Sequence, residues 1–145
     1  MTLYQSLIHN KGMITIRLDS PVSLGEQVRL GIREAIARGE LHAGDALPTV
    51  RQLANDLDIN FNTVSRAYRD LEREGLVATV QGRGTIVARE TETVRLPARE
   101  MQERIARDLH VLLTDARLAG VPPETLKRMF DTESARFWPR EKGKG

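Results

Sequence analysis

A run of polar side chains at residues 60–66 has the types and spacing needed to contact the edges of nucleic-acid bases. Its members carry amide, hydroxyl or guanidinium groups: Asn60, Asn62, Thr63, Ser65 and Arg66. An asparagine amide can donate to and accept from one adenine edge, and a serine or threonine hydroxyl can contact a base or a phosphate. The acidic residues of this segment follow only at 70–74, so its leading end is neutral to positive. The run predicts a surface that enters the major groove, with a solvated helix face as the simpler alternative.

A glycine-rich turn at residues 81–84 supplies a second candidate contact. There Gln81 precedes Gly82, Arg83 and Gly84. Glycine allows positive φ and a close approach of the backbone to a ligand, and arginine suits a phosphate or a narrow minor groove. Many hairpins turn on Gly-X-Gly, so this motif alone is weak. A nucleotide-phosphate loop is disfavoured because no helix follows the turn.

The elements that must position these residues follow from the hydrophobic periodicity. Apolar residues at helical spacing predict helices within residues 23–39, 49–57 and 60–75, while alternation predicts a strand over 13–18 and a hairpin over 76–88. Helix, short helix, tight corner, helix and hairpin is the order of a winged helix-turn-helix. In that fold the helix after the corner is the one that enters the major groove.

Local signals mark where these helices begin. Two capping boxes are predicted, Ser23 with Glu26 and Thr49 with Gln52. Asn60 is predicted to cap the third helix, and Asp58 with Ile59 to form the corner before it. Because these signals agree with the apolar pattern, we expect the third helix to present its polar run at its own start.

The predicted fold class is mostly α with a small β-hairpin. A winged helix-turn-helix over residues 13–90 is followed by a short helical dimerisation region over 91–145, and residues 1–12 are expected to be a disordered extension. A long helix is predicted over about 98–119, with an apolar stripe formed by Met101, Ile105, Leu109, Leu112 and Ala116. Two helices bury too little surface to be stable alone. The stripe therefore needs a partner, either the body of its own chain or a second copy.

Composition excludes several classes of function. The chain has no cysteine, and its three histidines lie far apart in the sequence, so neither a metal site nor a cofactor is predicted. We find no nucleophile–base set, and an enzyme is not expected. No apolar run approaches the ~20 residues of a membrane span, and no secretory signal is recognisable. We therefore expect a cytoplasmic protein without a membrane partner.

Net charge gives no support to DNA binding. Residues 21–90 carry nine basic and ten acidic side chains, a net charge of −1, whereas residues 91–145 carry eleven and nine. A DNA-binding domain is usually basic overall. A winged helix that binds protein instead of DNA therefore stays open as the main alternative.

Three ordered motifs carry a family resemblance. They are Gly44–Ala54 with its Leu-Pro-Thr cap, Asn62–Val77 with its Leu-Glu-Arg-Glu-Gly-Leu end, and the Gly-Arg-Gly-Thr wing at Gly82–Thr85. Together they resemble the GntR family of bacterial regulators over about residues 20–90. The Asn60–Tyr68 segment and the short helical C-terminal part are most similar to the YtrA-type subfamily. The resemblance implies DNA contacts at Thr49, Arg51, Asn60, Asn62, Thr63, Ser65, Gln81 and Gly82, with Arg83 beside them.

The resemblance also implies a biological role, with departures that limit what can be transferred. It implies a homodimer joined through the C-terminal helices, binding of double-stranded DNA at a pseudo-palindromic operator, and repression of an adjacent ABC transporter operon. It identifies no small-molecule effector. Phe61 and Ser65 stand where many members carry arginine, so the operator sequence cannot be transferred from them. Asp58 replaces the usual corner glycine, and aspartate tolerates a left-handed backbone better than most residues.

Overall fold

The structure, a computed structural model, describes residues 4–9, 12–88 and 98–139. The chain divides into two compact units, Met1–Val94 and Arg95–Gly145. Within the described residues, the first unit contains two hairpins and three helices, and the second contains two helices. The predicted boundary between residues 90 and 91 falls in a segment outside the described residues.

The first unit begins with an antiparallel pair of strands, β1 (Tyr4–His9) and β2 (Gly12–Arg17). The expected disorder of residues 1–12 is corrected by β1, whereas residues 1–3, 10 and 11 lie outside the described residues. A strand without a neighbour leaves a row of backbone N–H and C=O groups unpaired, and β1 pairs one edge of β2. Ile14 and Ile16 of β2 are buried in the core, which the alternation of this strand predicts.

Helix α1 (Leu24–Ala37) starts at its predicted cap, because the Ser23 hydroxyl oxygen accepts from the Glu26 backbone N–H at 3.3 Å. The second half of the predicted capping box is wrong. The Glu26 carboxylate pairs with Arg29 instead, and Arg29 also pairs with Glu74. A charge-assisted bond to a guanidinium is stronger than one to a neutral backbone N–H, so the ion pair prevails.

Helices α2 (Val50–Leu57) and α3 (Phe61–Arg73) form the helix-turn-helix. The predicted capping box of Thr49 and Gln52 is confirmed, with bonds of 3.1 and 2.9 Å. Asp58 forms the corner in the left-handed region at φ 52° and ψ 49°, as expected of a residue that replaces glycine. Asn60 then caps α3 by accepting from the Asn62 N–H at 2.7 Å.

The wing is a second hairpin, formed by β3 (Val77–Val80) and β4 (Gly84–Val87) around a three-residue loop. Positive φ values of 80° at Gly82 and 73° at Gly84 explain why glycine flanks Arg83. The connector between α1 and α2, residues 38–49, reaches the free edge of β4. There the Leu47 N–H donates to the Thr85 carbonyl at 2.8 Å.

One hydrophobic core holds these elements together. Its members come from β2, from all three helices, from the connector and from the wing: Ile14, Ile16, Val28, Ile32, Leu47, Leu53, Ala54, Leu57, Val64, Ala67, Tyr68, Leu71, Val77 and Val87. The predicted inward face of α3 is confirmed, since Val64, Ala67, Tyr68 and Leu71 are all buried. The exposed face of α3 therefore rests on a packed scaffold.

The second unit consists of α4 (Ala98–Leu118) and α5 (Pro123–Phe137). The predicted long helix over about 98–119 is confirmed. No residue of either helix is buried, and the two helices make little contact with each other. No helix among residues 12–88 and 98–139 is long and apolar enough to cross a membrane.

Candidate nucleic-acid interface

The buried and the exposed residues of α3 lie on opposite faces of the helix. Opposite its buried face lies a row of exposed residues with helical spacing: Asn62, Arg66, Arg69 and Arg73. Thr63 and Ser65 flank this row and are half-buried. The sequence-predicted residues of α3 therefore share one accessible surface, and Arg69, which the contact prediction omitted, belongs to it at the spacing of i+7 from Asn62.

Two predicted contact residues, Thr49 and Asn60, also cap helices. The Thr49 hydroxyl oxygen and the Asn60 amide oxygen accept backbone N–H groups at the starts of α2 and α3. Both residues are exposed. The Thr49 hydroxyl hydrogen and the Asn60 amide nitrogen stay available as donors, which suits contacts to phosphate or base acceptors.

Direct bonds position the start of α2 and the wing against α3. The Tyr68 hydroxyl donates to the Pro48 carbonyl at 2.7 Å, and burial raises the pKa of Tyr68, so the phenol stays protonated as a donor. On the wing, the Thr79 N–H donates to the Glu72 carboxylate at 3.3 Å. Tyr68 and Glu72 lie four residues apart on one side of α3. That side of the helix therefore faces both α2 and the wing.

The other side of α3 borders an open groove against the start of α1. The groove has a volume of about 490 Å³ and is lined by Ser23, Leu24, Gly25, Glu26, Asn62, Thr63, Arg66, Ala67 and Asp70. The structure thus brings Asn62, Thr63 and Arg66 together with the N-terminus of α1. No local sequence signal points to this neighbour, because α1 and α3 are joined only by the tertiary fold.

Ion pairing sorts the arginines of the first unit into two groups. Within residues 12–88, five of them pair with a carboxylate: Arg17, Arg29, Arg33, Arg38 and Arg73. Hydrogen bonds to Glu26 and Glu74 raise the pKa of Arg29, and the bond from Arg29 lowers the pKa of Glu26. These contacts neutralise charge on and around α1.

The other four arginines of this part of the chain are exposed and form no ion pair: Arg51, Arg66, Arg69 and Arg83. They lie in the first turn of α2, on the open face of α3 and at the wing tip. The net charge of −1 therefore conceals an uneven distribution, with unpaired positive charge concentrated on the elements predicted to bind DNA. A count over the sequence cannot separate paired from unpaired charges.

The predicted site residues are not all in mutual contact. In the part of the chain that the structure describes, no hydrogen bond or ion pair joins Gln81, Gly82 or Arg83 to the leading turn of α3. The wing tip is exposed, and so is Arg51. The candidate interface is thus a set of separated contacts on three elements, which suits an extended polymer better than a small ligand. No cluster of His, Asp or Glu in the described ranges could hold a metal ion.

Comparison with known proteins identifies the family. The model of the bacterial regulatory proteins of the gntR family matches residues 24–87. The HTH-type transcriptional repressor YtrA of Bacillus subtilis is 37% identical over 123 residues, which cover 85% of this chain and 93% of YtrA. The HTH-type transcriptional regulator Rv1152 of Mycobacterium tuberculosis is 37% identical over 95 residues, covering 64% of this chain and 78% of the relative.

Solved structures are similar to this chain as well. A transcriptional antiterminator from Listeria monocytogenes EGD-e superposes with a TM-score of 0.76 at 29% identity, covering 94% of this chain and all 100% of that one. YtrA from Sulfolobus acidocaldarius, a GntR-family transcription factor, gives a TM-score of 0.53 at 37% identity, covering 67% of this chain and 97% of its own. The resemblance to the family and its YtrA-type members is confirmed. These relatives are regulators rather than enzymes, and the chain is a DNA-binding transcriptional regulator that belongs to the gntR family of bacterial regulatory proteins.

Proposed function

We propose that this chain represses transcription by binding a pseudo-palindromic operator as a homodimer. In each copy α3 lies in the major groove, and the wing and the start of α2 contact the flanking backbone. The observation that carries the proposal is the placement of the four unpaired arginines on these three elements. Electrostatic attraction to phosphates supplies most non-specific affinity for DNA, and an unpaired, exposed guanidinium is free to provide it.

The proposed contacts divide by chemistry. The base-reading side chains are those at the leading turn of α3: Asn62, Thr63 and Ser65. The groups proposed to contact phosphates or the minor groove are the cations, the polar donors beside them and one backbone N–H: Arg51, Arg66, Arg69, Arg83, Thr49, Asn60, Gln81 and the N–H of Gly82. At the leading turn of α3 an asparagine amide can read a base edge by paired hydrogen bonds, whereas cations and the donors beside them act on the backbone of any sequence.

The salt dependence of binding tests the arginines. We expect Arg51→Gln and Arg83→Gln each to weaken binding to every duplex and to lower the log–log salt slope. Each change removes two phosphate contacts from a dimer, so the slope should fall by about 1.8 units. Fluorescence anisotropy with labelled operator and random duplexes, over a salt series, gives both slopes.

Arg33→Gln is the matched control, because it removes the same charge from the same unit. The Arg33 guanidinium pairs with Glu74 at 3.1 Å and lies on α1, away from the proposed contacts. The log–log salt slope of the Arg33→Gln variant should equal that of the wild type. Slopes for Arg51→Gln and Arg83→Gln that match the control would contradict DNA contact, and would favour a winged helix that binds protein.

The homodimer is proposed from the exposed apolar stripe of α4. Met101, Ile105, Leu109 and Leu112 are 39–57% exposed, and Ala116 is half-buried. A solvent-exposed helix of this kind depends on tertiary packing for its stability. A twofold dimer places the same patch of both copies against each other, so one apolar stripe covers its own equivalent. A second copy also supplies the second recognition helix that a half-site pair requires, about 34 Å from the first.

Leu109→Glu tests this interface. Burial of an unpaired carboxylate in the centre of the stripe costs several kcal/mol, so we expect a monomer that keeps its winged helix but loses tight operator binding. Val111→Glu is the control, since Val111 is 57% exposed on another side of the same helix and the charge change is identical. Light scattering at micromolar concentration measures the mass. A dimeric Leu109→Glu variant, or a monomeric wild type, would contradict the interface.

Repression and the target genes rest on similarity. The Bacillus subtilis relative that covers most of this chain is named a repressor, and a small dimer that covers a promoter needs no surface for polymerase. The resemblance to YtrA-type regulators favours an adjacent ABC transporter operon as the target. Transcript levels of neighbouring genes should rise when the gene for this chain is deleted, and unchanged levels would contradict the proposal.

A further inference from the structure

Phe61 is an apolar side chain in the most polar part of the proposed interface. It is the first residue of α3, lies between Asn60 and Asn62, and is 50% exposed. A single exposed hydrophobic residue is common and needs no explanation by itself. At this position, however, a polar residue would satisfy both solubility and the helix start, so the placement is informative.

The position of Phe61 on α3 is defined by its helical neighbours. Residues 61, 65, 68 and 72 are spaced as i, i+4, i+7 and i+11, so they form one row. Further along this row Tyr68 bonds to the start of α2, and Glu72 bonds to the wing. Side chains of a helix tilt toward its N-terminus. The ring of Phe61 therefore projects at the leading end of α3, beside the polar run that we place in the major groove.

The chemistry of the major groove leaves few partners for a phenyl ring. Base edges there present hydrogen-bond donors and acceptors, and the thymine C5-methyl group is the apolar exception. A ring that cannot hydrogen-bond is desolvated favourably only against such a group. We propose that Phe61 contacts a thymine methyl and thereby selects a T·A pair at one position of each half-site. This inference rests on the proposed binding of DNA by α3.

Replacement of thymine by deoxyuridine tests the contact, because it removes the methyl group and keeps every hydrogen-bonding group. The operator is first obtained by selection of random duplexes with the wild-type dimer. Each thymine is then replaced in turn, at both half-sites, and affinities are measured at fixed salt. Burial of one methyl group changes affinity by about fourfold. We expect one symmetric pair of positions at which deoxyuridine weakens wild-type binding by roughly sixteenfold.

The decisive measurement is the same scan with Phe61→Ala. At the sensitive pair of positions, Phe61→Ala should bind thymine and deoxyuridine equally, whereas Asn62→Ala, the control, should keep the full difference. Circular dichroism confirms that the half-exposed position tolerates alanine. A thymine preference that persists in Phe61→Ala, or its absence in the wild type, overturns the inference and leaves the DNA-binding proposal standing. Failure of the wild type to select any sequence overturns both, and it is seen before any substitution is made.

Discussion

The two units of this chain differ in how far their apolar side chains are buried. In the first unit Ile16, Leu53 and Leu71 are completely buried, and β2, the three helices and the wing contribute to one core. Among residues 98–139, the described part of the second unit, none is buried, although α4 carries an apolar stripe. The hydrophobic free energy that stabilises a fold comes from apolar area removed from water. The first unit removes that area by itself, whereas α4 and α5 leave it exposed.

The helix termini show the same difference. Each helix of the first unit begins at a side-chain cap, from Ser23, Thr49 and Asn60. Helix α5 follows Pro122, which caps it without a side-chain hydrogen bond. Its stabilising contacts include exposed ion pairs, such as Lys127 with Asp131 at 2.8 Å, and such pairs contribute a few tenths of a kcal/mol each. The first unit is thus specified locally and by packing, whereas the proposed homodimer would supply the packing that α4 and α5 lack.

The largest expected effect would come from a cavity in the first unit. Leu71→Ala removes a completely buried side chain and should lower the free energy of unfolding by about 2–5 kcal/mol. Leu118→Ala, in the second unit, is the control because Leu118 is 82% exposed. Its effect should stay within about 0.5 kcal/mol. Urea denaturation measures both, and equal losses for the two variants would remove the contrast between the units.

The next largest effect is expected on dilution, which should lower the stability of one unit and leave that of the other unchanged. A fragment of residues 95–145 that folds by dimerisation should lose about 2.7 kcal/mol of stability on hundredfold dilution. A fragment of residues 1–94 should unfold at the same denaturant concentration throughout, because its core is intramolecular. Circular dichroism at two protein concentrations compares them. A midpoint for the 95–145 fragment that does not change on dilution would show that α4 and α5 do not need a second copy.

The smallest expected effect concerns the caps. Ser23→Ala deletes the side-chain acceptor at the start of α1 and should cost about 1 kcal/mol. Ser134→Ala in α5 should be neutral or slightly stabilising, since Ser134 lies inside a helix, where alanine is the better helix former. Thermal unfolding of the two full-length variants distinguishes these outcomes. A greater loss for Ser134→Ala than for Ser23→Ala would mean that local capping does not separate the units.

Most of the fold could be predicted because its signals are local. The caps at Thr49 and Asn60, the left-handed corner at Asp58 and the buried face of α3 all depend on residues within one or two turns. The two errors arose where a pairing partner was overlooked. Glu26 left its predicted capping box for Arg29, which also binds Glu74, and β1 formed as the partner that β2 requires.

The candidate interface likewise has one part that local sequence signals predict and another that depends on the folded chain. Helical and hairpin periodicity are enough to place the side chains of the leading turn of α3 and of the wing tip on the surface. Which arginines are available to a partner depends on how the chain folds. Arg29 and Glu74 are 45 residues apart in the chain, and a charge is neutralised by whatever lies within a few ångströms. Pairing is a property of spatial neighbours, so the unpaired set of Arg51, Arg66, Arg69 and Arg83 emerged only when the chain was folded.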